Sequence, residues 1–499
     1  MPPLQHWRRQ HRHYAVQGGH DTLTENKLPT RSEDFNEWYN QLVLRAELAD
    51  YAPVRGAMIV RPYGWSLWEN IQQALDRRFK ATGHLNAGFP MLIPMSFFER
   101  EKAHVEGFAP ELAVVTHGGG EELAEPLAVR PTSETIIGHM YAKWIKSYRD
   151  LPVLLNLWNS VLRWEKRTKL FLRTSEFYWQ EGHTAHATSA EAEEETLRML
   201  DIYEDFAVNE AAIPVIKGQK SEGERFAGAE RTYAIEAMMG DYRALQSGTS
   251  HYFGQNFARA FDIQYLDANN VLEYCWTTSW GLSTRFIGAI IMVHGDDNGL
   301  ILPPKLAPYQ VVVVPIFRNG EERVLVMAEV DKLTAEIGDV RMRVDAREHL
   351  TPGFKFNEWE MRGVPVRIEV GPRDVAQGTV ALARRDRPGK EGKSFVPRAG
   401  IAVRVRETLV EVQQSLYERA LKFREDHTYK PADYGEFKEA IECGFALTWW
   451  CGDPGCETSI KEETRATNRC IPLEQPGGSG RCIFCGRDAR QKAIFARAY

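Results

Sequence analysis

Four cysteines near the end of the chain constrain its fold more than any other feature of the sequence. Cys451 and Cys456 are separated by four residues, Cys482 and Cys485 by two, and 25 residues lie between the pairs. Each close pair can present two sulfurs to one metal from a single turn, so this spacing is typical of tetrahedral zinc–thiolate coordination. The sequence therefore predicts that these four side chains bind a structural Zn²⁺ within a small module over residues 430–499.

Composition and charge narrow the class of protein. The chain has 499 residues, 43% of them hydrophobic, which allows roughly three domains with packed cores. Its net charge of −6 excludes a globally basic protein, although residues 341–398 carry 13 Lys and Arg against 8 Asp and Glu. Seven cysteines without a secretory signal predict a reducing cytoplasm, and no apolar run approaches the roughly 18 residues of a membrane span.

Proline-rich and aperiodic segments divide the chain. Residues 1–30 show no hydrophobic periodicity and are predicted to form a disordered extension. The segment 302–308 holds three prolines, which predicts a boundary after a first domain over residues 31–304. Alternating strand and helix patterns over 305–405 predict an α/β domain. A linker helix and the cysteine module then fill 406–499.

Within the first domain, the pattern predicts two strands and two helices that matter below. Residues 154–164 and 173–180 read as an antiparallel hairpin joined by a basic loop. Thr188 and Glu191 form a capping box, which predicts a helix over 188–211. A later helix is predicted over 281–293, beginning at Gly281.

Three arginines and one aromatic side chain favour a nucleotide site around this hairpin. Strand alternation places Arg163 and Glu165 on one face, and Arg173 and Phe177 follow on the returning strand. A guanidinium fork suits phosphate oxygens, and an aromatic face can stack on a purine. Arg285 is the third arginine. Taken singly, each arginine fits a surface ion pair better than a nucleotide site; only the order and spacing of the whole set favour the nucleotide site.

In that order these residues resemble the three motifs of class II aminoacyl-tRNA synthetases. Motif 1 corresponds to the helix ending near Gly83 with the segment 88–90, motif 2 to Arg163 through Phe177, and motif 3 ends at Arg285. The segments 129–135, 179–186, 246–251 and 277–281 resemble prolyl-tRNA synthetases more narrowly, and the resemblance runs from about residue 35 to the last residue.

The resemblance implies an α/β multidomain fold and a reaction. The fold is a class II antiparallel sheet flanked by helices, then an α/β anticodon-binding domain and a small α+β zinc-binding domain. The reaction is that of a proline–tRNA ligase, which uses ATP with Mg²⁺ to form prolyl-adenylate from L-proline and transfers the prolyl group to the 3′ end of tRNA(Pro). Motif 1 implies a homodimer, and the predicted compartment is the cytoplasm.

The resemblance also implies site residues, with Arg163, Glu165 and Arg285 as the catalytic set. The residues implied for ATP are Arg163, Glu165, Arg173, Thr174, Phe177, Gln246, Thr249 and Arg285. Those implied for proline are Thr132, Glu134, Arg163, Trp179, Glu181, His183, Phe226 and His251. Those implied for the anticodon are Phe356, Glu358, Glu360, Arg373 and Lys390.

One spacing separates two forms of this family. About 95 residues lie between Glu181 and motif 3, which leaves no room for the large editing domain of the common bacterial form. Together with the cysteine module, this resembles the archaeal and eukaryote-like form, in which the C-terminal tyrosine, here Tyr499, folds back toward the catalytic domain. We therefore expect appreciable alanine activation and no deacylation of mischarged tRNA in cis, because a missing methylene or two is worth only about 1–3 kcal/mol each in a pocket.

Three alternatives remain at this point. A sibling synthetase for threonine, serine or glycine would share the class II motifs, although a threonine enzyme would also want a zinc site in its catalytic half. A synthetase-like RNA-binding protein without catalysis would have little reason to carry all five motif residues. In a third alternative, a zinc-dependent nucleic-acid-binding protein, the cysteine module itself carries the function.

Overall fold

Alternating strands between Val153 and Ser283 build the sheet that organises the first part of the chain. The computed structural model describes residues 27–99 and 112–499. Most of the predicted extension, residues 1–26, lies outside the described residues, whereas Leu28 is buried in the main core. None of the described helices is long and apolar enough to cross a membrane.

The first part contains fourteen described strands and seven described helices. The helices are α1 (Phe35–Arg45), α2 (Pro62–Ala81), α3 (Met95–Glu99), α4 (Glu134–Trp144), α5 (Ser189–Asn209), α6 (Asn256–Phe261) and α7 (Arg285–His294). The strands are β1 (Ala49–Tyr51), β2 (Met58–Val60), β3 (Leu85–Asn86), β4 (Leu92–Pro94), β5 (Ala113–Gly118), β6 (Glu121–Val129), β7 (Val153–Leu162), β8 (Glu176–His186), β9 (Val215–Gln219), β10 (Arg231–Met238), β11 (Ala244–Gly254), β12 (Gln264–Leu266), β13 (Leu272–Tyr274) and β14 (Trp276–Ser283).

Strands β9, β10, β11, β14, β8 and β7 lie side by side and antiparallel, with short β3 parallel to β7 at the edge. Helix α2 begins at Pro62, whose fixed φ suits a first helical turn, and it buries Leu67, Trp68, Ile71 and Leu75 at helical spacing. These side chains join one large core with residues of α1, α5 and α7, which leaves the opposite face of the central strands for a site.

The predicted helix over 281–293 is wrong at its start. Strand β14 continues to Ser283, and the helix begins at Arg285. Gly281 lies between Thr249 on one side and Glu181 on the other, so its backbone belongs to the sheet. A Cβ at Gly281 would come within 3.4 Å of the ring of Trp179, which shows why a glycine fits this crowded position.

Two other predictions about the hairpin and its helix had different outcomes. The returning strand begins at Glu176 rather than residue 173, and it extends to His186, well beyond the predicted end at residue 180. The predicted helix over 188–211 is confirmed as α5, and both hydrogen bonds of the capping box between Thr188 and Glu191 are present.

A mixed five-stranded sheet follows the proline-rich segment. The run Val311–Val314 is fully buried, as expected for a strand covered on both faces. Parallel pairs join β15 to β16 and β17, and antiparallel pairs extend the sheet to β18 and β19. The elements are β15 (Val311–Pro315), α8 (Gly320–Ile337), β16 (Met342–Val344), α9 (Pro352–Met361), β17 (Val366–Val370), α10 (Pro372–Gln377), β18 (Thr379–Arg384) and β19 (Lys393–Pro397).

The last part of the chain extends the first sheet. Its elements are α11 (Ile401–Asp426), β20 (Thr428–Tyr429), α12 (Tyr434–Cys443), β21 (Phe445–Trp450), α13 (Pro454–Thr464), β22 (Thr467–Pro472), β23 (Gly480–Arg481), β24 (Asp488–Ala489) and β25 (Gln491–Ala496). Strand β22 pairs with β25 and also with β9, so eleven described strands form one continuous sheet.

A buried ion-pair network fixes this junction. Arg469 on β22 contacts the Glu236 carboxylate of β10 at 3.0 Å, and Lys220 contacts the same carboxylate at 3.2 Å. The Lys220 ammonium also donates to the carbonyl oxygen of Arg469 at 2.6 Å. All three side chains are buried, so removing one partner would leave an uncompensated charge inside the protein.

Candidate active site

The register of three neighbouring strands lines up several of the implied substrate residues on one face of the large sheet. Thr249, Gly281 and Glu181 lie side by side across β11, β14 and β8. Two residues along β11 and β14, His251 lies opposite Ser279. Because side chains alternate along strands, both rows point to the same side. The sheet therefore brings together residues that are up to 100 positions apart in the sequence.

A cavity of about 180 Å³ lies on this face. Nine of the residues implied by the sequence line it: Thr132, Glu134, Arg163, Trp179, Glu181, Phe226, Gln246, Thr249 and His251. Five lining residues were not among the implied site residues: Glu224, Thr232, Ser279, Trp280 and Gly281. If residues 276–283 had been predicted as a strand, its alternation would have placed Ser279 and Gly281 on the cavity face. Glu224 lies in a short 3-10 turn, and no sequence pattern around it indicates a site.

Two buried carboxylates give the cavity a negative region. Glu134 is 6% exposed and Glu181 is 2% exposed. The Thr132 hydroxyl donates to Glu134, and the Ser279 hydroxyl donates to its other oxygen at 3.2 Å. Within the described ranges, neither carboxylate has a lysine or arginine at salt-bridge distance. His183 lies 3.3 Å from Glu181, whereas Glu134 has no cationic partner at salt-bridge distance among the described residues. A buried carboxylate requires compensation, so the region beside Glu134 suits a cationic ligand with N–H donors.

Hydrogen bonds hold Glu181 in its charged form. Burial favours the neutral form, but the hydrogen bond and charge of His183, with hydrogen bonds from Asn159 and Ser133, outweigh it and lower the pKa of Glu181. Two carboxylates act on His183 in turn: burial opposes its charge, but Glu181 and Glu134 raise the pKa of His183. The two side chains lie 3.3 Å apart and form a buried ion pair behind the cavity.

Aromatic rings wall the region next to these carboxylates. The rings of Phe226 and His251 lie 4.5 Å apart at 31°. Burial, with the nearby positive charges of His183 and Arg163, lowers the pKa of His251 to about 3, so this imidazole is neutral at physiological pH. Trp179 is held in place because its indole N–H donates to the Asn159 oxygen at 2.6 Å. These walls suit a small apolar ring.

Arg163 supplies the positive charge of the cavity. Its Nε donates to the carbonyl oxygen of Pro131 at 3.1 Å, and its guanidinium lies 5.4 Å from the ring centroids of both Phe177 and Trp179. Arg163 follows the end of β7 at Leu162, so the prediction that it lies within the strand is wrong by one residue. The planar guanidinium edge is the part of an arginine side chain that binds oxyanions.

Two further arginines lie around the cavity without lining it. Arg173 pairs with Glu165 at 3.5 Å, and the Nε of Arg285 donates to the Leu172 carbonyl oxygen at 3.0 Å. Burial, followed by the repulsion of Arg173 and Arg163, lowers the pKa of Arg285 to about 10. Three neighbouring guanidinium groups are the arrangement expected for a polyanionic ligand such as a triphosphate.

Three more residues implied for ATP lie on the returning strand, before it, or on β11. The Thr174 hydroxyl donates to the Glu176 carbonyl oxygen at 2.7 Å, so this side chain fixes the end of the loop. Phe177 meets the ring of Trp179 edge-on at 5.8 Å and 85°. Gln246 lines the cavity from β11. The structure therefore places nine of the implied ATP and proline residues in the wall of one cavity and most of the others next to them.

Tyr499 packs against the loop that joins β7 and β8. Its hydroxyl donates to Asp241 at 2.7 Å, and its ring centroid lies 5.2 Å from the Lys169 ammonium in that loop. The same ammonium lies 4.6 Å from the ring of Tyr39 and donates to Asn36 at 2.8 Å. The expectation that this tyrosine folds back toward the first domain is confirmed.

The four cysteines converge as their spacing predicted. Their sulfurs all lie within 4.8 Å of one another, and Cys451 lies 3.8 Å from both Cys456 and Cys485. A tetrahedral zinc site with Zn–S bonds of about 2.3 Å requires sulfurs about 3.8 Å apart, so the donors fit. Arg487 donates to Cys485 at 3.2 Å, which would help to balance thiolate charge.

The residues implied for anticodon binding lie in the second sheet domain, with Phe356, Glu358 and Glu360 on α9. The Glu358 carboxylate is already engaged by Arg347 at 2.7 Å and Arg362 at 3.1 Å, which limits its freedom to contact RNA. Phe356 stacks against Arg367 at 4.2 Å. Glu360 is half-buried, and the side chains at 373 and 390 are exposed. Phe395, 70% exposed on β19, was not singled out from the sequence.

Three family models match successive parts of the chain. The model described as tRNA synthetase class II core domain (G, H, P, S and T) matches residues 116–294. The model described as anticodon binding domain matches residues 310–397. The model described as prolyl-tRNA synthetase, C-terminal, matches residues 434–499.

Similar proteins cover nearly the whole chain. It is 63% identical over 480 residues to a protein named proline–tRNA ligase from Chloroflexus aurantiacus, covering 96% of this chain and 100% of that protein. A protein of the same name from Roseiflexus sp. is 60% identical with the same coverage. The chloroplastic/mitochondrial proline–tRNA ligase of Arabidopsis thaliana is 54% identical, covering 96% of this chain and 90% of that protein.

Proposed function

Because the chain belongs to the family of proline–tRNA ligases, we propose that it activates L-proline with ATP and transfers the prolyl group to the 3′ end of tRNA(Pro). The observation that carries this proposal is the single cavity that pairs two buried carboxylates with the Arg163 guanidinium. The carboxylates suit a secondary ammonium, and the guanidinium suits a carboxylate beside a phosphate. A secondary ammonium and a carboxylate beside a phosphate occur together when proline and ATP are bound in one site.

The proline would bind with its ring between aromatic walls. Thr132, Glu134 and Glu181 would accept hydrogen bonds from the two ammonium N–H groups. The Thr132 hydroxyl also contacts both carboxylates, so the three side chains form one hydrogen-bonded group. Trp179, Phe226 and His251 would enclose the ring, while His183 keeps Glu181 oriented from behind. Because His251 is neutral at physiological pH, it adds apolar contact without repelling the ammonium.

The arginines would position the ATP phosphates for in-line attack. Arg163 would hold the proline carboxylate against the α-phosphate, where a carboxylate oxygen forms the new bond to phosphorus as the bond to pyrophosphate breaks. Arg173 and Arg285 would stabilise the departing pyrophosphate. Phe177 would stack on adenine, with Glu165, Thr174, Gln246 and Thr249 completing the nucleotide site. When bound with ATP, Mg²⁺ supplies further neutralisation of the outer phosphates.

The remaining domains would serve tRNA binding and stability. We propose that residues 305–405 bind the anticodon, with Phe356, Glu360, Arg373 and Lys390 as contact candidates and Glu358 as a weaker one. Residues 31–304 and 406–499 would be the catalytic and the linker-plus-zinc units. Zn²⁺ held by the four cysteines would supply a cross-link inside the last unit.

We propose a cytoplasmic homodimer. The segment after α2, which corresponds to motif 1, exposes the apolar side chains Leu85, Met91 and Leu92 by 68%, 47% and 40%. Large exposed apolar side chains that cluster in one segment mark contact surfaces. The thiols of the proposed zinc site would need a reducing compartment to remain unpaired with one another.

Amino-acid-dependent ATP–pyrophosphate exchange, measured with each of the twenty amino acids and without tRNA, tests the proposed activation. We expect proline to give the dominant signal and alanine a weaker one, because an apolar pocket discriminates poorly against smaller side chains. A dominant signal from serine, threonine or glycine would retain the class II chemistry and overturn the proline pocket. Absence of exchange with every amino acid would overturn the enzymatic proposal.

Replacing Tyr499 by alanine should lower the rate of proline-dependent ATP–pyrophosphate exchange about tenfold without unfolding the protein. The ring and hydroxyl of Tyr499 hold Lys169 and Asp241 together, and Lys169 lies in the loop that carries Arg173. Loss of the ring would loosen this loop, and small misplacements of positioning groups reduce rates strongly. Tyr417→Ala, a tyrosine on α11 outside the site, is the control. Equal activity of Tyr499→Ala and wild type would contradict this role.

A further inference from the structure

The segment between β9 and β10 forms one wall of the active-site cavity. This wall segment, residues 220–230, contributes Glu224 and Phe226 to the cavity lining. The ring of Phe226 packs against the imidazole of His251 at 4.5 Å. The path of the wall segment therefore decides where the aromatic wall of the proposed proline pocket lies.

The sheet holds the wall segment at two points. The backbone N–H of Lys220 donates to the Thr232 carbonyl oxygen at 2.8 Å, and the backbone N–H of Phe226 donates to the Thr232 hydroxyl at 3.1 Å. The same hydroxyl lies 3.0 Å from Nδ1 of His251. Between these two points the chain leaves the sheet and forms the short 3-10 turn Glu222–Glu224. This turn needs support from the side that faces away from β10.

Helix α13 of the cysteine module supplies that support. The Ser221 hydroxyl donates to the Glu457 carboxylate at 2.7 Å, and a Cβ at Gly223 would lie 3.8 Å from the same carboxylate. One turn further along α13, the Lys461 ammonium lies 3.8 Å from the Glu224 carboxylate. Two successive turns of α13 thus face the turn of the wall segment.

The bond between Ser221 and Glu457 is the stronger of these contacts. Ser221 is 3% exposed and Glu457 is 8% exposed, so water competes little for either group. Burial raises the pKa of the Glu457 carboxyl, and the hydrogen bond from Ser221 is the largest influence that opposes this rise, ahead of the charges of Lys220 and Lys461. The Lys461 side chain is 60% exposed, so its pair with Glu224 contributes little.

The cysteine cluster holds α13 itself in place. Cys456 directly precedes Glu457, and its sulfur lies 3.8 Å from that of Cys451. Asp453 caps the helix, because its carboxylate accepts from the backbone N–H of Gly455 at 2.6 Å. Cys456 and Ile460 belong to the buried core of the module. The position of α13 is therefore set by its own module, and a fixed helix can hold a neighbouring turn in one place.

We propose that Glu457 is a positioning residue for the proline pocket, which it supports through Ser221 and the turn of the wall segment. This inference rests on the proposed activation of proline. Glu457 fixes the start of the turn that carries Glu224 to the cavity and leads to Phe226. Loss of this support displaces the aromatic wall and weakens proline binding. The three arginines proposed for ATP do not belong to the wall segment, so ATP binding is preserved.

Steady-state ATP–pyrophosphate exchange with the full chain, at varied proline and at varied ATP, tests this inference. We expect Glu457→Ala to raise KM for proline about fivefold, the usual effect of one lost hydrogen bond, with kcat and KM for ATP within about twofold of wild type. Glu457→Gln retains an oxygen that accepts from Ser221 and should restore KM for proline. Glu463→Ala, which removes a surface pair with Lys438 on the same helix, is the control and should match wild type.

Ser221→Ala removes the same hydrogen bond from outside the cysteine module. It should raise KM for proline as much as Glu457→Ala, and the double variant should have no larger effect than either single variant, because both remove one interaction. Zinc content and Tm report whether the module is intact; if Glu457→Ala loses zinc, Ser221→Ala decides alone. An unchanged KM for proline, an equal rise in KM for ATP, or multiplying effects in the double variant would overturn the inference. Absence of proline-dependent exchange in wild type would instead overturn the proposed function, and this inference with it.

Discussion

Arg163→Ala is expected to reduce proline-dependent ATP–pyrophosphate exchange by about 10³-fold, on the order of 4 kcal/mol of transition-state stabilisation. Arg163 is the only arginine that lines the described active-site cavity, and two aromatic rings and the Pro131 carbonyl oxygen fix its guanidinium. An arginine held in one orientation stabilises developing charge without reorganising, so its loss affects the rate more than substrate binding. We expect most of the effect in kcat.

Arg163→Lys separates geometry from charge. A lysine retains the positive charge but lacks the planar fork that can hold a carboxylate and a phosphate together. We expect it to recover less than a tenth of the lost activity. Arg343→Ala, an exposed arginine on the edge strand β16, is the matched control and should exchange at the wild-type rate. If Arg163→Ala retains more than a third of wild-type exchange while folding normally, the assignment of Arg163 is wrong.

The sequence predicted the composition of the active site better than its geometry. Arg163, Arg173, Phe177 and Arg285 were placed in one nucleotide site from their residue chemistry and their resemblance to the class II motifs, and the structure gathers them around one cavity. The start of α7 was misplaced because Gly281 reads locally as a helix boundary. Its conformation is instead set by β8 and β11, whose residues lie 32 or more positions away.

Features that depend on distant partners could not be read from the sequence. The orientation of Glu181 depends on Asn159 and Ser133, which come from β7 and the start of α4. The continuation of the catalytic sheet into the cysteine module depends on the pairing of β22 with β9, which involves only Ile471 and Pro472. Such contacts have no periodic or spacing signal, because each partner alone looks like an ordinary polar or strand residue.

The cysteine module shows the opposite case, since its spacing predicted its geometry. Cys451→Ser is expected to abolish zinc binding and to lower the first unfolding transition by more than about 10 °C. The sulfurs of Cys456 and Cys482 lie in side chains only 5% and 3% exposed, within a small core that includes Phe437, Trp450 and Ile460. Without the metal this core has little to hold its two cysteine turns together. Mass spectrometry measures the zinc content, and calorimetry measures the unfolding temperature.

Activity should distinguish a structural metal from a catalytic one. The cysteines belong to a module that contacts the catalytic sheet through β22 and the loop between β7 and β8 through Tyr499. No cysteine lines the described active-site cavity. We therefore expect exchange by Cys451→Ser to fall by less than tenfold at 25 °C and to decay much faster on heating. Cys443→Ser, an exposed cysteine outside the cluster, should match wild type in zinc content, Tm and rate. If Cys451→Ser keeps its zinc and its Tm, the cluster is not a structural metal site; if its exchange is lost at once while Tm is unchanged, the metal acts on the chemistry.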